Sequence, residues 1–498
     1  MLDTGRAVQL PGLGGAARVA VAAWLRRGSR LRYSTRPMAS PQPTVPAEAP
    51  TLARLLALAW PVIISRATQT VIGLSDAIMV APLGEEAVAA TTTGGSNAFN
   101  VFILPMGIVF IVQSFASQLH GRGDAAGARR YGWYGLAVAL MTEVLCLAVL
   151  AAVRPGVTAL GYAPGVREGM VEYLVWRLPS GGAAIGLEAL ANYYGGLGNT
   201  RLPMLAALLA MVLNVGGNWL FILGHAGFPA LGVRGAALAS SLSTLLAFAV
   251  LFACFWFDLG GEPARARVAL RWRELGRTLR FGIPSGLNWF LEMLAFTFFI
   301  NVVLGSMGTT ALAAFMAVLQ ASSVAFMPSF ALMSAGAILV GQAIGRGVHA
   351  HARRAVRLTL VLTCSWQGSM AVLALLVPRL VLSPFAPAGA EARFLALGAQ
   401  MLVVVAAWQV FDATAGTFAE SLRAAGDTQF TLWARVIIAW VFFVPGVLLA
   451  RRLFDLSSVG VTTFVVAYSA LLAATLAWRY RSGAWERIEL VPEGGGAG

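Results

Sequence analysis

From residue 53 onward the chain is a succession of long apolar runs, broken by short polar segments rich in Gly, Arg, Asp and Asn. A helix needs about 20 predominantly apolar residues to cross a bilayer. Twelve runs meet that length: 53–80, 91–119, 131–154, 168–196, 201–224, 232–257, 276–305, 311–343, 352–378, 392–424, 428–452 and 457–481. Several exceed what a perpendicular span requires, so tilt or projection beyond the bilayer is expected. The predicted fold class is an all-α integral membrane protein of twelve transmembrane helices.

The polar segments orient these helices. Counted over alternate segments, one set holds eighteen arginines, among them Arg122, Arg129, Arg130, Arg346, Arg353 and Arg354; the other holds seven. Short loops richer in basic residues stay on the cytoplasmic side. Both termini are therefore expected in the cytoplasm, which an even helix count requires.

The pattern also repeats. Gln118-Leu-His-Gly-Arg-Gly123 recurs as Gln342-Ala-Ile-Gly-Arg-Gly347, and Ala128-Arg-Arg130 as Ala352-Arg-Arg354. Pro61 and Pro284 open the first helix of each half, and Gly198-Asn-Thr200 matches Gly426-Asp-Thr428. Ordered anchors at one spacing indicate an internal duplication. Each half holds six helices, an even number, so the two six-helix bundles are parallel repeats about a pseudo-two-fold along the membrane normal. The predicted organisation is an Arg/Pro-rich extension over 1–52, a first bundle over 53–257, a cytoplasmic linker over 258–275, a second bundle over 276–481 and a cytoplasmic tail over 482–498. The extension loosely fits an organellar presequence; a start at Met38 is the simpler reading. Its composition predicts disorder. The Gly-Arg-Gly loops read as tight turns that anchor topology.

Composition agrees. Hydrophobic residues make up 58% of the chain and charged ones 12%, against about a quarter charged in soluble domains. The net charge of +14 comes entirely from arginine, since all 36 basic residues are Arg. They lie between apolar runs and form no basic face, so nucleic acid is not an expected partner. Without lysine there is no Schiff base and no Walker-type nucleotide site. Cys146, Cys254 and Cys364 each sit alone in an apolar run, which excludes a disulfide framework or a zinc site. His349-Ala350-His351 reads as a solvated loop.

Charges inside the bilayer cost several kcal/mol on most scales and need a reason. Asp76, Glu143, Glu188, Glu292 and Asp412 lie inside apolar runs. Gln69 shares a helical face with Asp76; Ser285 and Asn288 share one with Glu292; Trp408 and Gln409 precede Asp412 by one turn. Such stripes face protein or water, so three spans aim a carboxylate inward. Carboxylates there either exchange protons or supply oxygen ligands to a hard ion such as Na⁺; Asp412 and Glu292 are the candidate Na⁺ ligands. The competing reading is pairing with Arg66, Arg177 or Arg435, which is equally open for Glu143 and Glu188. Asn214 and Asn218, four apart on the fifth run, either bond helix to helix or line a cavity. Trp408 either presents its face to an organic cation or packs as an anchor.

These residues resemble a family. Gln69-Thr-Val-Ile-Gly-Leu-Ser-Asp76-Ala-Ile-Met79 resembles the first-helix signature of MATE (multidrug and toxic compound extrusion) transporters. Leu213-Asn-Val-Gly-Gly-Asn-Trp219, followed by Pro229-Ala-Leu-Gly-Val-Arg-Gly235, is similar to their fifth and sixth helices. The contexts Phe290-Leu-Glu292 and Gln409-Val-Phe-Asp412 resemble the seventh and tenth, closest to the NorM-like branch. The resemblance spans roughly residues 53 to 481. It implies a two-lobed antiporter, with no enzymatic activity and no cofactor, exporting small cationic or amphipathic compounds against Na⁺ or H⁺. It implies ion coupling by Asp76, Glu292 and Asp412, a cavity that includes Asn214, Asn218, Gln69, Asn288, Gln409 and Trp408, and a monomer in a bacterial inner membrane. Two departures, Trp408 where relatives carry Tyr or Phe and the outer-loop stretch Ala388-Gly-Ala-Glu391, leave ion choice and substrate range open. The alternative is a lipid-linked precursor flippase or narrow-substrate exporter of the same superfamily, whose cavity would need several free arginines for pyrophosphate.

Overall fold

In lipid every backbone polar group must be satisfied within its own segment, and each apolar run accordingly forms helix. The computed structural model describes residues 49–159, 161–261, 270–386, 391–454 and 456–492. Met38 and nearly all of the predicted extension, Arg265 and Arg267 of the linker, and Ala388–Ala390 of the outer loop lie outside them.

The first six-helix lobe comprises α1 (Leu52–Val80), α2 (Glu85–Arg122), α3 (Ala125–Ala159), α4 (residues 164–196), α5 (Arg201–Phe221) and α6 (Val233–Trp256). The second comprises α7 (Trp272–Met307), α8 (Thr309–Gly345), α9 (His349–Leu376), α10 (Glu391–Ala425), α11 (Thr428–Phe454) and α12 (Ser458–Arg481). Eleven of these are long and apolar enough to cross a membrane, among the described residues. The exception is α4, in which Pro179 sits in a 3-10 turn, Leu178–Ser180, between helices Pro164–Arg177 and Gly181–Gly196. One span is thus two short helices, and Pro179 occupies the opening of the turn between them, where a residue without a backbone donor is tolerated. The twelve spans fall within a few residues of the apolar runs, except that α2, α3, α4 and α7 begin four to six residues earlier, where polar first turns extend beyond the apolar stretch.

The duplication extends to backbone conformation. Gly123 and Gly347, the last residues of the two Gly-Arg-Gly loops, have φ of +78° and +75°. Both helix ends close alike: Asp124 N–H donates to Leu119 C=O (2.9 Å), and Val348 N–H to Ala343 C=O (3.0 Å). This is a left-handed C-terminal cap, which glycine adopts without a Cβ penalty. The loops are thus tight turns, as expected.

The lobes share one closed end, where the Gly-Arg-Gly loops lie. There the opening residues of α1 (Leu55, Leu58, Ala59) pack in the core of the second lobe, and Leu275 and Phe281 of α7 pack against that of the first. Gly107 of α2 and Gly286 of α7 bring two backbones together: a Cβ on Gly107 would lie 2.6 Å from Gly286 Cα. Small residues permit such approach in membranes.

The tail also joins this end. Trp485 stacks on Tyr480 in the second lobe's core, while Leu490, wholly buried, and Val491 enter the core of the first. Arg122 of the first Gly-Arg-Gly loop donates to Val491 C=O (2.9 Å) and Pro492 C=O (3.1 Å), and Arg277 to Glu489 C=O (2.8 Å). Truncating a fully buried leucine typically costs about 2–5 kcal/mol. Leu490→Ala is expected to lower the unfolding temperature of the purified protein measurably, whereas Leu376→Ala, at an exposed position, should not.

Candidate functional site

The second lobe contains a cavity of about 400 Å³ that reaches the lobe boundary at Phe99 and Ile103 of α2. Helical spacing brings its polar groups together. Ser285, Asn288 and Glu292 follow one another along a single face of α7, and Trp408, Asp412, Glu420 and Arg423 project from α10. Arg435 of α11 and Tyr468 of α12 complete the polar wall, and Trp289, Phe296, Phe326 and Phe330 are aromatic.

The three cavity carboxylates differ. Glu292 forms a salt bridge with Arg435, whose side chain is nearly buried. Glu420 pairs with Arg423. Asp412 forms no salt bridge among the described residues; its polar neighbour is Gln367 of α9. A carboxylate without a countercharge in a low-dielectric wall attracts any cation that reaches it. Arg435 Nε and Asn288 Oδ1 are buried without a protein partner among the described residues, Tyr468 OH lies beside the Arg435 guanidinium, and buried polar atoms otherwise pair almost without exception. The cavity therefore offers one free carboxylate, aromatic faces and unsatisfied polar atoms.

The remaining predicted residues are distributed more widely. Asp76 lies in the first lobe, where Asn218 Nδ2 donates to its Oδ1 (2.5 Å) and Ser240 Oγ to its Oδ2 (3.3 Å). Asn214 Nδ2 donates to Ser240 Oγ (3.0 Å), and Asn218 Nδ2 also reaches Asn214 Oδ1 (3.2 Å). Both asparagines are completely buried. They join α5 to α1 and α6 through these bonds, the contact that the first of their two readings describes. Gln69 lines a smaller space of about 100 Å³ beside Arg66, Gln113, Glu188 and Asn192. Gln409 leaves the Asp412 stripe and faces a separate cavity between α8, α9 and α10, lined also by Gln320 and Phe385. At about 100° per residue, Trp408 lies about 40° from Asp412 and Gln409 about 60° away on the opposite side, enough to turn it from one space to another. Arg66 Nη2 bonds Glu188 (2.9 Å), one of the pairings expected. Glu143 instead accepts the Gly182 N–H (2.6 Å) at the break in α4, satisfying a donor that the interrupted ladder leaves open.

Sequence reasoning did not find the contacts that hold the closed end. Gln118 Nε2 donates across the boundary to Ala424 C=O (2.7 Å), and Gln342 Nε2 donates back to Gly196 C=O (3.1 Å). Donors and acceptors are both repeat equivalents, so the two bonds form a pseudo-symmetric pair. Arg54 donates to Gln342 Oε1 (3.1 Å). Arg423 donates to Phe110 C=O (2.6 Å), where the ladder of α2 is interrupted. The available signal was a buried-type amide at matching positions of two repeats, which sequence alone leaves indistinguishable from a retained turn residue.

The family model MatE matches residues 61–220 and 284–448, one segment in each lobe. A probable multidrug resistance protein NorM of Neisseria meningitidis is 29% identical over 437 residues, covering 85% of this chain and 92% of its own length. The multidrug resistance protein PmpM of Pseudomonas aeruginosa is 27% identical, covering 79% and 83%. The solved structure of a MOP superfamily transporter from Pyrococcus furiosus superposes with a TM-score of 0.80 at 20% identity, covering 88% of this chain and 97% of that one, and shares the fold. With its model matched in both lobes across most of the chain, this protein belongs to the MatE family.

Proposed function

We propose that the protein is a secondary antiporter that exports small organic cations and amphipathic compounds from a bacterial cytoplasm, driven by inward movement of Na⁺ or H⁺. The observation that carries this reading is the uncompensated carboxylate of Asp412 in an aromatic-walled cavity at the lobe boundary. The names of the NorM and PmpM relatives support export of multiple drugs. Arg423 and Arg435 are both engaged by carboxylates and so are not free to hold a pyrophosphate, which disfavours the flippase reading.

The arginine bias assigns the closed end to the cytoplasm, giving an outward-open state of a monomer in the inner membrane, with both termini inside and no cofactor. In this cycle a Na⁺ or H⁺ entering from outside neutralises Asp412 and releases the bound cation. The lobes then rock, the ion leaves inside, and the freed carboxylate attracts the next substrate. Interhelical hydrogen bonds in membranes average about 0.6 kcal/mol, so the six residue pairs bonded across the lobes, Gln113 with Ser334 among them, total about 4 kcal/mol, within what ligand binding can shift. Gln118→Leu combined with Gln342→Leu is expected to raise the inward-open population several-fold, read as longer interlobe distances between spin labels at the cytoplasmic ends; unchanged distances would refute the gate role.

The reading is tested in proteoliposomes containing ethidium, with Na⁺ and pH gradients imposed separately. Movement driven by one gradient identifies the ion, and no movement under either refutes cation antiport.

A further inference from the structure

We infer that Arg435 sets the charge of the second-lobe cavity and thereby the valence of the cation it accepts, so that singly charged substrates are favoured over doubly charged ones. The inference rests on that cavity being the transport site. Three carboxylates line it, Glu292, Asp412 and Glu420, against two guanidinium groups, Arg423 and Arg435. With every group ionised the sum, 2 − 3, is −1. The two arginines play different parts. Arg423 is tied to Glu420 and also donates to Phe110 C=O and, at 3.4 Å, to Ser114 Oγ across the lobe boundary, so it belongs to the closed end. Arg435 has Glu292 as its acid partner, its Nε–H is buried without an acceptor among the described residues, and its neighbours are cavity-wall groups. It sits at the end of the helical segment Thr428–Ile437, just before a π-helical stretch, Ile438–Phe443. Such insertions re-aim side chains and recur at functional sites.

Removing Arg435 from this arrangement would leave two acids, Glu292 and Asp412, facing one cavity and a formal charge of −2. With Arg435 present, the Glu292 pair is neutral to a ligand, and Asp412 is the one uncompensated carboxylate left for a cation among the described lining residues. A second positive charge on the ligand then enters a desolvated wall without a counterion, and a charge so placed is strongly disfavoured. The cost of mismatched charge across a recognition surface is what confers specificity.

Ethidium and propidium share the phenanthridinium ring system and differ in carrying one and two positive charges, so their transport ratio in proteoliposomes reads valence directly. Comparing variants with the unmodified protein cancels the difference in size. In Arg435→Gln the propidium-to-ethidium ratio is expected to rise roughly tenfold or more. Arg435→Lys keeps the charge and should retain the original ratio. Arg435→Gln with Glu292→Gln restores −1 and should return the ratio towards the original. Glu292→Gln alone, which leaves the guanidinium uncompensated, should move the ratio the other way, and it tests the same electrostatics if Arg435→Gln does not reach the membrane. Equal changes in both dyes for Arg435→Gln, or a double variant that stays shifted, would overturn the assignment and leave Arg435 a structural partner of Glu292. An unmodified protein that moves neither dye would instead refute the transport-site reading, which separates the two failures.

Discussion

Asp412→Asn is expected to abolish ion-driven efflux while leaving the amount of folded protein in the membrane unchanged. The amide matches the carboxylate in size, so packing in α10 is retained, and no ion pair among the described residues is broken. What is lost is a unit charge facing the cavity. At an effective dielectric near 20, such a charge about 5 Å from a bound cation is worth roughly 3 kcal/mol, about a hundredfold in affinity. Proteoliposome efflux should therefore fall by about two orders of magnitude under either gradient, with thermal stability little altered. Glu292→Gln should also impair export, by a different route, because it exposes the Arg435 guanidinium as a fixed positive charge beside the substrate. Normal efflux in Asp412→Asn would place coupling elsewhere, and Asp76 with its cage of Asn218 and Ser240 would be the next site to test.

Gly345→Ala is expected to have an effect of similar size on the conformational equilibrium. A Cβ at Gly345 would lie 2.0 Å from Gln118 C=O, and its repeat equivalent, a Cβ at Gly121, 2.3 Å from Gln342 C=O. Both obstacles are backbone, so neither clash is relieved by a rotamer change; the ends of α2 and α8 must separate. Overpacking typically costs about 1–3 kcal/mol, and here the strain is confined to the closed state. Relaxing it opens the closed end and breaks the paired Gln118 and Gln342 bonds at the same step. Spin-label distances across that end should lengthen, and cysteines introduced beside Gln118 should become accessible to thiol reagents added on that side of the membrane. Gly368→Ala, where an added Cβ meets nothing within 4 Å, is the control expected to change neither. Unaltered distances in Gly345→Ala would mean that the closed end is held by packing elsewhere.

The N-lobe and C-lobe carboxylates illustrate how far residue type carries the argument. That Asp76, Glu292 and Asp412 face protein rather than lipid follows from the cost of a charge in hydrocarbon, and the structure places each among polar groups. Which of them has a countercharge does not follow, because Arg435 lies 143 residues beyond Glu292 in sequence and 23 beyond Asp412. Its pairing with one and not the other depends on how α7, α10 and α11 are rotated about their axes. The same rotation decides that Gln409 faces a different space from Asp412, although only three residues separate them.

The chain's own pattern determined the membrane class, the twelve spans, the two six-helix halves and the tight glycine turns, because each of these depends on local rules: the length of helix a bilayer requires, the backbone donors it must satisfy, and the left-handed conformation that glycine takes without strain. Only the tertiary structure decided the pairing of Glu292 with Arg435, the isolation of Asp412, the burial of Asn214 and Asn218 beside Asp76, and the reciprocal bonds of Gln118 and Gln342. Those features depend on interhelical distance and rotation, set by small-residue contacts such as Gly107 against Gly286, and a difference of about 60° in helix facing is below what apolar periodicity resolves when nearly every face of a helix is apolar.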